Sequence, residues 1–246
     1  MELLQALALP PEGWTCLVGG GGKSSLMLRL VEERARHGLP ALAATTTHIG
    51  RGQGLAAGPL AGTVEELEAA RREGLTACAA VTEPETGKLT APPAEVLAHG
   101  LRLFGFGVAE ADGAKRLPMK APAGHEPCLI PNCAVVVAVA GLSALGRPIG
   151  ETCHRSALAC ALLGVGPETA VTPELLARLL THREGQFKNV GDPCRFRVLL
   201  NQADCPAQMV QARETAEAVR RYLPGVGVVT AALRAPECVK EVFAPC

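Results

Sequence analysis

Aromatic side chains are scarce: Phe, Trp and Tyr together make up 3% of the 246 residues. A core must therefore be built from Leu, Val and Ala, which a hydrophobic content of 48% allows. Net charge is missing as well, since 24 basic residues face 24 acidic ones. That balance gives no electrostatic reason to expect nucleic acid or an acidic membrane surface as a partner. No apolar run reaches the ~18 residues of a membrane span. Glu2 stands where a secretory signal would carry basic residues. The ten cysteines include no C-x-x-C pair. A cytoplasmic, reduced chain is the expectation, with most cysteines acting as small buried hydrophobes. Cys128 and Cys133, taken with His125 or His154, match no common zinc spacing.

Glycine, by contrast, is abundant, and four glycines stand together. Gly19, Gly20, Gly21 and Gly22 precede Lys23, Ser24 and Ser25, between an apolar run at 14–18 and a helical pattern at 24–37. Glycine permits positive φ and lets backbone approach a ligand closely. Successive N–H groups and the start of a helix can then face one anion. Lys23 adds a mobile positive charge and Ser24 a hydroxyl suited to Mg²⁺, which is the logic of a phosphate-binding P-loop. The full G-x-x-x-x-G-K-[ST] pattern needs glycine at position 17, where Leu17 stands; the tail Gly22, Lys23, Ser24 fits.

Apolar runs and helical patterns alternate along the rest of the chain. Strands are expected at 14–18, 39–45, 106–109, 134–140, 195–200 and 226–230. Helices are expected at 1–9, 24–37, 92–104, 155–163, 173–182, 207–222 and 236–243, and one more opens at Thr63 with Glu66 completing a capping box. Gly50, Gly52, Gly54 and Gly58 predict a loop, and 76–81 with 88–91 a hairpin. The alternation predicts an α/β fold of three-layer P-loop NTPase type, a mostly parallel sheet with helices on both faces. Residues 1–246 read as a single nucleotide-binding domain, with an inserted helix and hairpin around 60–104.

In such sheets ligands bind beyond the carboxyl ends of the strands, and the polar clusters fall there. Thr45, Thr46, Thr47 and His48 follow the second strand; Thr46 or Thr47 can complete Mg²⁺ coordination or touch a γ-phosphate. Glu110 and Asp112 follow the 106–109 run and compete for the metal-holding role, with Gly113 freeing an N–H for the γ-phosphate. Asn201, Gln202, Ala203 and Asp204 resemble the N-K-x-D motif that reads guanine: the Asp204 carboxylate would accept from two adjacent guanine donors, which adenine lacks. Gln202 replaces the usual lysine, and a plain helix N-cap is the other role open to Asp204. The loop at 114–131 carries Lys115, Lys120 and His125; with Arg155 these form a candidate substrate or partner surface.

The motifs thus point to a Mg²⁺-dependent protein that binds GTP or ATP through Gly19, Gly20, Gly21, Gly22, Lys23, Ser24, Ser25, Thr46, Thr47, Gly113, Asn201 and Asp204. Lys23, Glu110 and Asp112 are the expected catalytic groups, and Ser24, Glu110 and Asp112 the expected metal-side groups. The order of motifs resembles GTPase-type P-loop proteins. Residues 18–25 are similar to the "deviant" loop K-G-G-x-G-K-[ST]-[ST] of metal-chaperone and septum-site proteins. Val18 replaces that class's signature lysine, which crosses a homodimer interface to the partner's nucleotide, so slow intrinsic hydrolysis is expected. With Asp112–Gly113–Ala114–Lys115, Lys120–Ala121–Pro122 and His125–Glu126–Pro127 added, the chain as a whole resembles the YqeC family. That family is regarded as accessory to selenium-dependent molybdenum hydroxylases and also bears the name selenium cofactor biosynthesis proteins. The resemblance implies a maturation factor whose partner is a molybdenum hydroxylase or a selenium or molybdenum cofactor enzyme. Two other readings stay open. One is a kinase or nucleotidyltransferase acting on a pterin-type cofactor held by Lys120, His125 or Arg155. The other is a selenium or metal carrier using Cys128, Cys133 or Cys153.

Overall fold

A computed structural model describes residues 1–192 and 195–245; Cys194 and Cys246 lie outside these. In chain order the elements are α1 (Leu3–Ala6), β1 (Gly13–Gly19), α2 (Lys23–Arg36), β2 (Leu42–Thr45), α3 (Arg51–Ala57), β3 (Leu60–Ala61), α4 (Val64–Arg72) and β4 (Ala77–Ala79). A hairpin of β5 (Val81–Thr82) and β6 (Leu89–Thr90) leads to α5 (Ala94–Phe104), β7 (Phe106–Glu110), β8 (Met119–Lys120), β9 (Val135–Gly141), α6 (Ile149–Thr152) and β10 (Cys153–His154). The chain finishes with α7 (Ser156–Leu163), α8 (Pro173–Thr181), β11 (Phe196–Asn201), α9 (Pro206–Tyr222), β12 (Gly227–Ala231) and β13 (Val239–Phe243).

Nine strands form one sheet in the order β13-β12-β11-β9-β1-β7-β2-β4-β3. Every pairing in it is parallel except that of β12 with β13. β9 is buried at every position, as a central parallel strand covered on both faces should be. Leu3, Leu26, Met27, Leu30 and Ala57 bring α1, α2 and α3 onto one face. Leu67, Leu97, Leu163, Leu176 and Ala216 bring α4, α5, α7, α8 and α9 onto the other. The three-layer α/β architecture is therefore the one the alternation predicts. β1 sits between β7 and β9, so the loop after β1 is flanked by the carboxyl ends of both. Among the described residues no helix is long and apolar enough to cross a membrane.

Local expectations fail where long-range packing overrides spacing. Residues 239–243 form strand β13, not a helix. Val239 and Val242 are spaced as on a helix face, but the open edge of β12 recruits the segment as an antiparallel partner, with Val228 opposite Phe243 and Thr230 opposite Glu241. The glycine-rich stretch after Thr47 contains helix α3. Glycine costs a helix about 1 kcal/mol relative to alanine, yet a Cβ on Gly54 would lie 2.2 Å from Leu89 and 3.2 Å from the Cys78 sulfur. Close packing of α3 against β4 and β6 offsets that cost. Residues 77–79 join the main sheet as β4, so the hairpin begins only at Val81. The capping box of Thr63 and Glu66 is present, while the N-cap of α9 is Cys205 instead of Asp204.

Candidate functional site

The glycine loop is packed on all sides. Added Cβ atoms would lie 2.3 Å from the Val139 carbonyl oxygen (Gly19), 2.5 Å from that of Leu117 (Gly20), 2.2 Å from the Gly141 nitrogen (Gly21) and 2.4 Å from Asn201 Nδ2 (Gly22). Gly19, Gly21 and Gly22 also have φ of 93°, 75° and 140°. The Gly20 and Gly21 N–H groups donate to Val139 O at 2.9 Å and Leu117 O at 3.0 Å. Donors for an anion are therefore those at the start of α2, which has no side-chain cap. First-turn N–H groups of a helix have no intrahelical acceptor, and the dipole adds partial positive charge there.

A buried chain of alternating charges starts at this loop. Lys23 Nζ donates to Gly19 O at 2.6 Å and lies 3.0 Å from Asp112 Oδ1. Asp112 Oδ2 accepts the Gly19 N–H at 2.9 Å and lies 3.3 Å from Lys120 Nζ. Lys120 Nζ is 2.8 Å from Glu126 Oε2, and Arg155 grips both Glu126 oxygens at 2.6 and 3.2 Å. β8 and β10 make this possible, because their parallel pairing sets His154 opposite Lys120 and delivers Arg155 beside Glu126. Lys120 and Arg155, which the sequence suggests for a substrate or partner surface, meet on Glu126, and Lys120 is buried. Glu126 enters the sequence reading only within the His125–Glu126–Pro127 motif, and the adjacent His125 is exposed.

Glu110 has a different environment from Asp112. The Ser24 hydroxyl donates to Glu110 Oε1 at 2.5 Å and accepts from Gln53 Nε2 at 2.5 Å, while Gln53 Oε1 accepts the Gly50 N–H at 2.7 Å. Gln53 has one signal in the sequence, its position three residues after Gly50, from which its side chain reaches back to the N-cap N–H of α3. Burial pushes the Glu110 carboxyl above its ordinary value, Lys23 and the Ser24 hydrogen bond pull the other way, and the Asp112 charge adds to the rise. For Glu126 burial also pushes upward. There the hydrogen bonds from Lys120 and the Ala123 amide, the Lys120 charge and Arg155 outweigh it and hold the carboxyl below its ordinary value.

The sign of the pH effect follows. A carboxyl depressed by folding contributes stability that is complete above its unfolded value of about 4.3 and is lost as pH falls through the lower folded value. Urea midpoints of the wild type and Glu126→Gln should therefore differ at pH 6 and converge below about pH 4. A constant difference would contradict the ionised Glu126 hub.

The remaining predicted residues divide into engaged and free groups. Thr46 Oγ1 donates to Cys128 O at 2.6 Å, and its N–H to Glu110 O at 2.9 Å, which pins the Thr-rich turn to β7. Thr47 Oγ1 is buried with no partner among the described residues. His48 faces Glu83 at 3.4 Å. Gly113 has open space around it, and Ser25 follows Ser24 in the first turn of α2. Asn201 is used at both ends: Nδ2 donates to Gly21 O at 2.7 Å and Oδ1 accepts the Leu233 N–H at 3.0 Å. It ties the glycine loop to the segment after β12. Gln202, at φ 70°, accepts the Ser143 N–H at 3.2 Å. Asp204 is exposed, and its carboxylate has no hydrogen bond among the described residues. Asn201→Ala should cost about 1–3 kcal/mol, the penalty for stranding buried polar partners, read from the urea midpoint. A change within error would show the tie to be dispensable.

Among the described residues no three His, Cys, Asp or Glu side chains gather in a way that could hold a metal ion. Ser24 and Glu110 offer two hard oxygens at one point. That set fits Mg²⁺, which takes most of its octahedral shell from phosphates and water, and does not fit a self-contained protein cage. Asp112 has both oxygens committed to Gly19, Lys23 and Lys120. The cysteines differ in character: burial pushes Cys153 up to about 12. The Cys16 hydrogen bond and the Arg195 charge, against burial, bring Cys133 down to about 7.

The sequence model of the YqeC protein family matches residues 15–157, more than half of the chain. The chain belongs to the YqeC family. It is also 34% identical over 105 residues to the uncharacterized protein YqeC of Escherichia coli (strain K12), a match covering 42% of this chain and 41% of that one. The chain thus matches well under half the length of that relative. The stretch matched by the YqeC model holds the glycine loop, Glu110, Asp112 and the Lys120–Glu126–Arg155 network; Asn201 and Asp204 lie beyond it.

Proposed function

We propose that this YqeC-family chain binds a Mg²⁺–nucleoside triphosphate at residues 19–25 and acts as a P-loop NTPase. One observation carries the reading: the uncapped start of α2, the Ser24 hydroxyl and the Glu110 carboxylate meet at one point, with Ser24 and Glu110 2.5 Å apart. Lys23 would turn from Asp112 toward the β/γ-phosphates. Ser24 would ligate Mg²⁺ and Glu110 would hold a metal-bound water, leaving Asp112 as the counter-ion of Lys23 and Lys120. Thr47 has a free hydroxyl and Gly113 open space beside it, and both would serve a γ-phosphate. Asp204 has a free carboxylate for the paired donors of guanine, a partner whose absence a polar site rejects strongly.

Equilibrium titration of fluorescent GTP and ATP analogues, with and without Mg²⁺, tests this. Binding should need Mg²⁺ and favour GTP, and the preference should vanish in Asp204→Ala. Equal curves for both nucleotides would withdraw the base assignment while leaving the phosphate site standing. The family resemblance supports a role for this site in maturing selenium-dependent molybdenum hydroxylases, with the loop at 114–131 reporting nucleotide state to the enzyme. Capture of an apo-hydroxylase that depends on the bound nucleotide would support that role; capture indifferent to nucleotide would count against it.

A further inference from the structure

A cavity of about 360 Å³ is walled by Cys128, Cys133, Val136, Asn189, Val190 and Arg195 among its lining residues, and no residue of the glycine loop lines it. One wall is the segment at 127–133, which hangs between the Thr-rich turn and the amino end of β1. The Cys128 carbonyl accepts the Thr46 hydroxyl at 2.6 Å and its N–H donates to Ala111 O at 2.9 Å. At the other end the Ala134 N–H donates to Trp14 O at 2.8 Å. The facing wall comes from the chain between α8 and β11. Cavities of roughly 300–1,000 Å³, apolar with a few placed polar groups, are the ones that take small molecules.

The polar groups here are a thiol and a guanidinium side by side. Arg195 Nη2 donates to the Cys133 carbonyl oxygen and lies 4.0 Å from Cys133 Sγ. Its Nε donates to Ala134 O at 3.4 Å, and its Nη1 has no hydrogen bond among the described residues. Cys128, the other cysteine on the walls, turns its S–H to the His125 carbonyl at 3.5 Å. Fully buried Cys16 on β1 donates its S–H to the Cys133 sulfur; that contact and burial hold Cys16 well above its ordinary value, as a thiol. The same contact and the Arg195 charge, against burial, bring Cys133 down to about 7. Burial alone does the opposite elsewhere: Cys78 and Cys153 are each pushed up to about 12.

The thiolate is the nucleophilic form of cysteine, and cationic surroundings in reach of solvent mark reactive sites. Cys133 is only 3% exposed, so a reagent reaches it by entering the cavity. Arg195, anchored to backbone through Nε and Nη2, presents Nη1 to an anionic group, and a guanidinium pairs best with a planar carboxylate.

We propose that this cavity is a second ligand site, where a small disulfide carrying a carboxylate binds Arg195 and exchanges with Cys133. The Cys133 thiolate attacks one ligand sulfur and forms a new S–S bond as the ligand's own S–S bond breaks. The first half of the ligand stays on Cys133 as a mixed disulfide. The second half leaves as a thiolate and takes a proton from water. Attack by a free small thiol on the mixed disulfide reverses the step. The site shares no residue with the nucleotide reading, and its test needs no nucleotide.

The probes are dithiodipropionate and its neutral counterpart bis(hydroxyethyl) disulfide. Each is incubated with the full chain near neutral pH, and adducts are located by mass spectrometry of unreduced peptides. The first dithiodipropionate adduct should form on Cys133, at a rate that levels off with concentration because binding precedes exchange. After correction for their rates with free cysteine, the neutral disulfide should react at Cys133 at least about tenfold more slowly, as loss of a charge-assisted contact predicts. Arg195→Gln should erase that preference, and Arg195→Lys should restore part of it. Should Arg195→Gln fail to fold, the comparison of the two disulfides on wild type still decides. A first adduct on Cys128, Cys205 or any other cysteine, or equal corrected rates at Cys133, overturns the proposal.

Discussion

Asp112→Asn lowers the free energy of unfolding by about 3–5 kcal/mol, the cost of removing one partner from a buried ion network. The carboxylate is 1% exposed and lies 3.0 Å from Lys23 and 3.3 Å from Lys120, both buried. It also accepts the Gly19 N–H. Asparagine can keep one hydrogen bond but leaves Lys23 and Lys120 with less compensating charge, and Glu126 is the carboxylate left on Lys120. Burying a charge without a counter-ion costs far more than burying a neutral group. The effect is read from urea unfolding at neutral pH. Adding Lys120→Met to Asp112→Asn should return part of the loss, since it removes one orphaned cation; residues in one network couple by about 0.5–3 kcal/mol. A single-variant loss below about 1 kcal/mol, the range of exposed ion pairs, would show that water compensates the network.

Gly21→Ala should weaken nucleotide binding at least about 100-fold, a loss of roughly 3 kcal/mol, while leaving the sheet folded. Gly21 has φ 75°, and its added methyl would meet Gly141 backbone at 2.2 and 2.6 Å. No rotamer relieves a clash with main chain, so the loop must leave β9 and carry the start of α2 with it. The left-handed backbone alone costs alanine about 1–2 kcal/mol. Gly124→Ala is the control: nothing lies within 4 Å of the added atom. Circular dichroism separates a displaced loop from global unfolding. Wild-type affinity in Gly21→Ala would mean that the loop geometry does not set the phosphate contacts.

Much of this site is legible from the residues because its chemistry is local. Four glycines, a lysine and a serine can be placed on one strand–loop–helix unit without knowing any partner. Glu110 announces itself as an acid closing an apolar strand. The choice between Glu110 and Asp112 was not legible, because it depends on which carboxylate meets Ser24 and which meets two lysines. Asn201 read as a base-contacting residue, and its side chain proves to be a tie between Gly21 and Leu233. The roles of Glu126 and Gln53 were not legible because each depends on a partner 29 residues away in the chain, Arg155 and Ser24 respectively. Strand β13 was misread because two valines three apart satisfy a helix face until the edge of β12 claims them.

The central claim is that the loop at residues 19–25 holds the phosphates of a nucleotide through Lys23. Titration of fluorescent GTP and ATP analogues in Mg²⁺ against wild type and Lys23→Ala tests it most directly. Saturable binding by the wild type, weakened at least about tenfold in the variant as expected for loss of a charged hydrogen-bonding group, is the predicted result. If neither nucleotide binds the wild type, or if Lys23→Ala binds as tightly, the loop is not a nucleotide site.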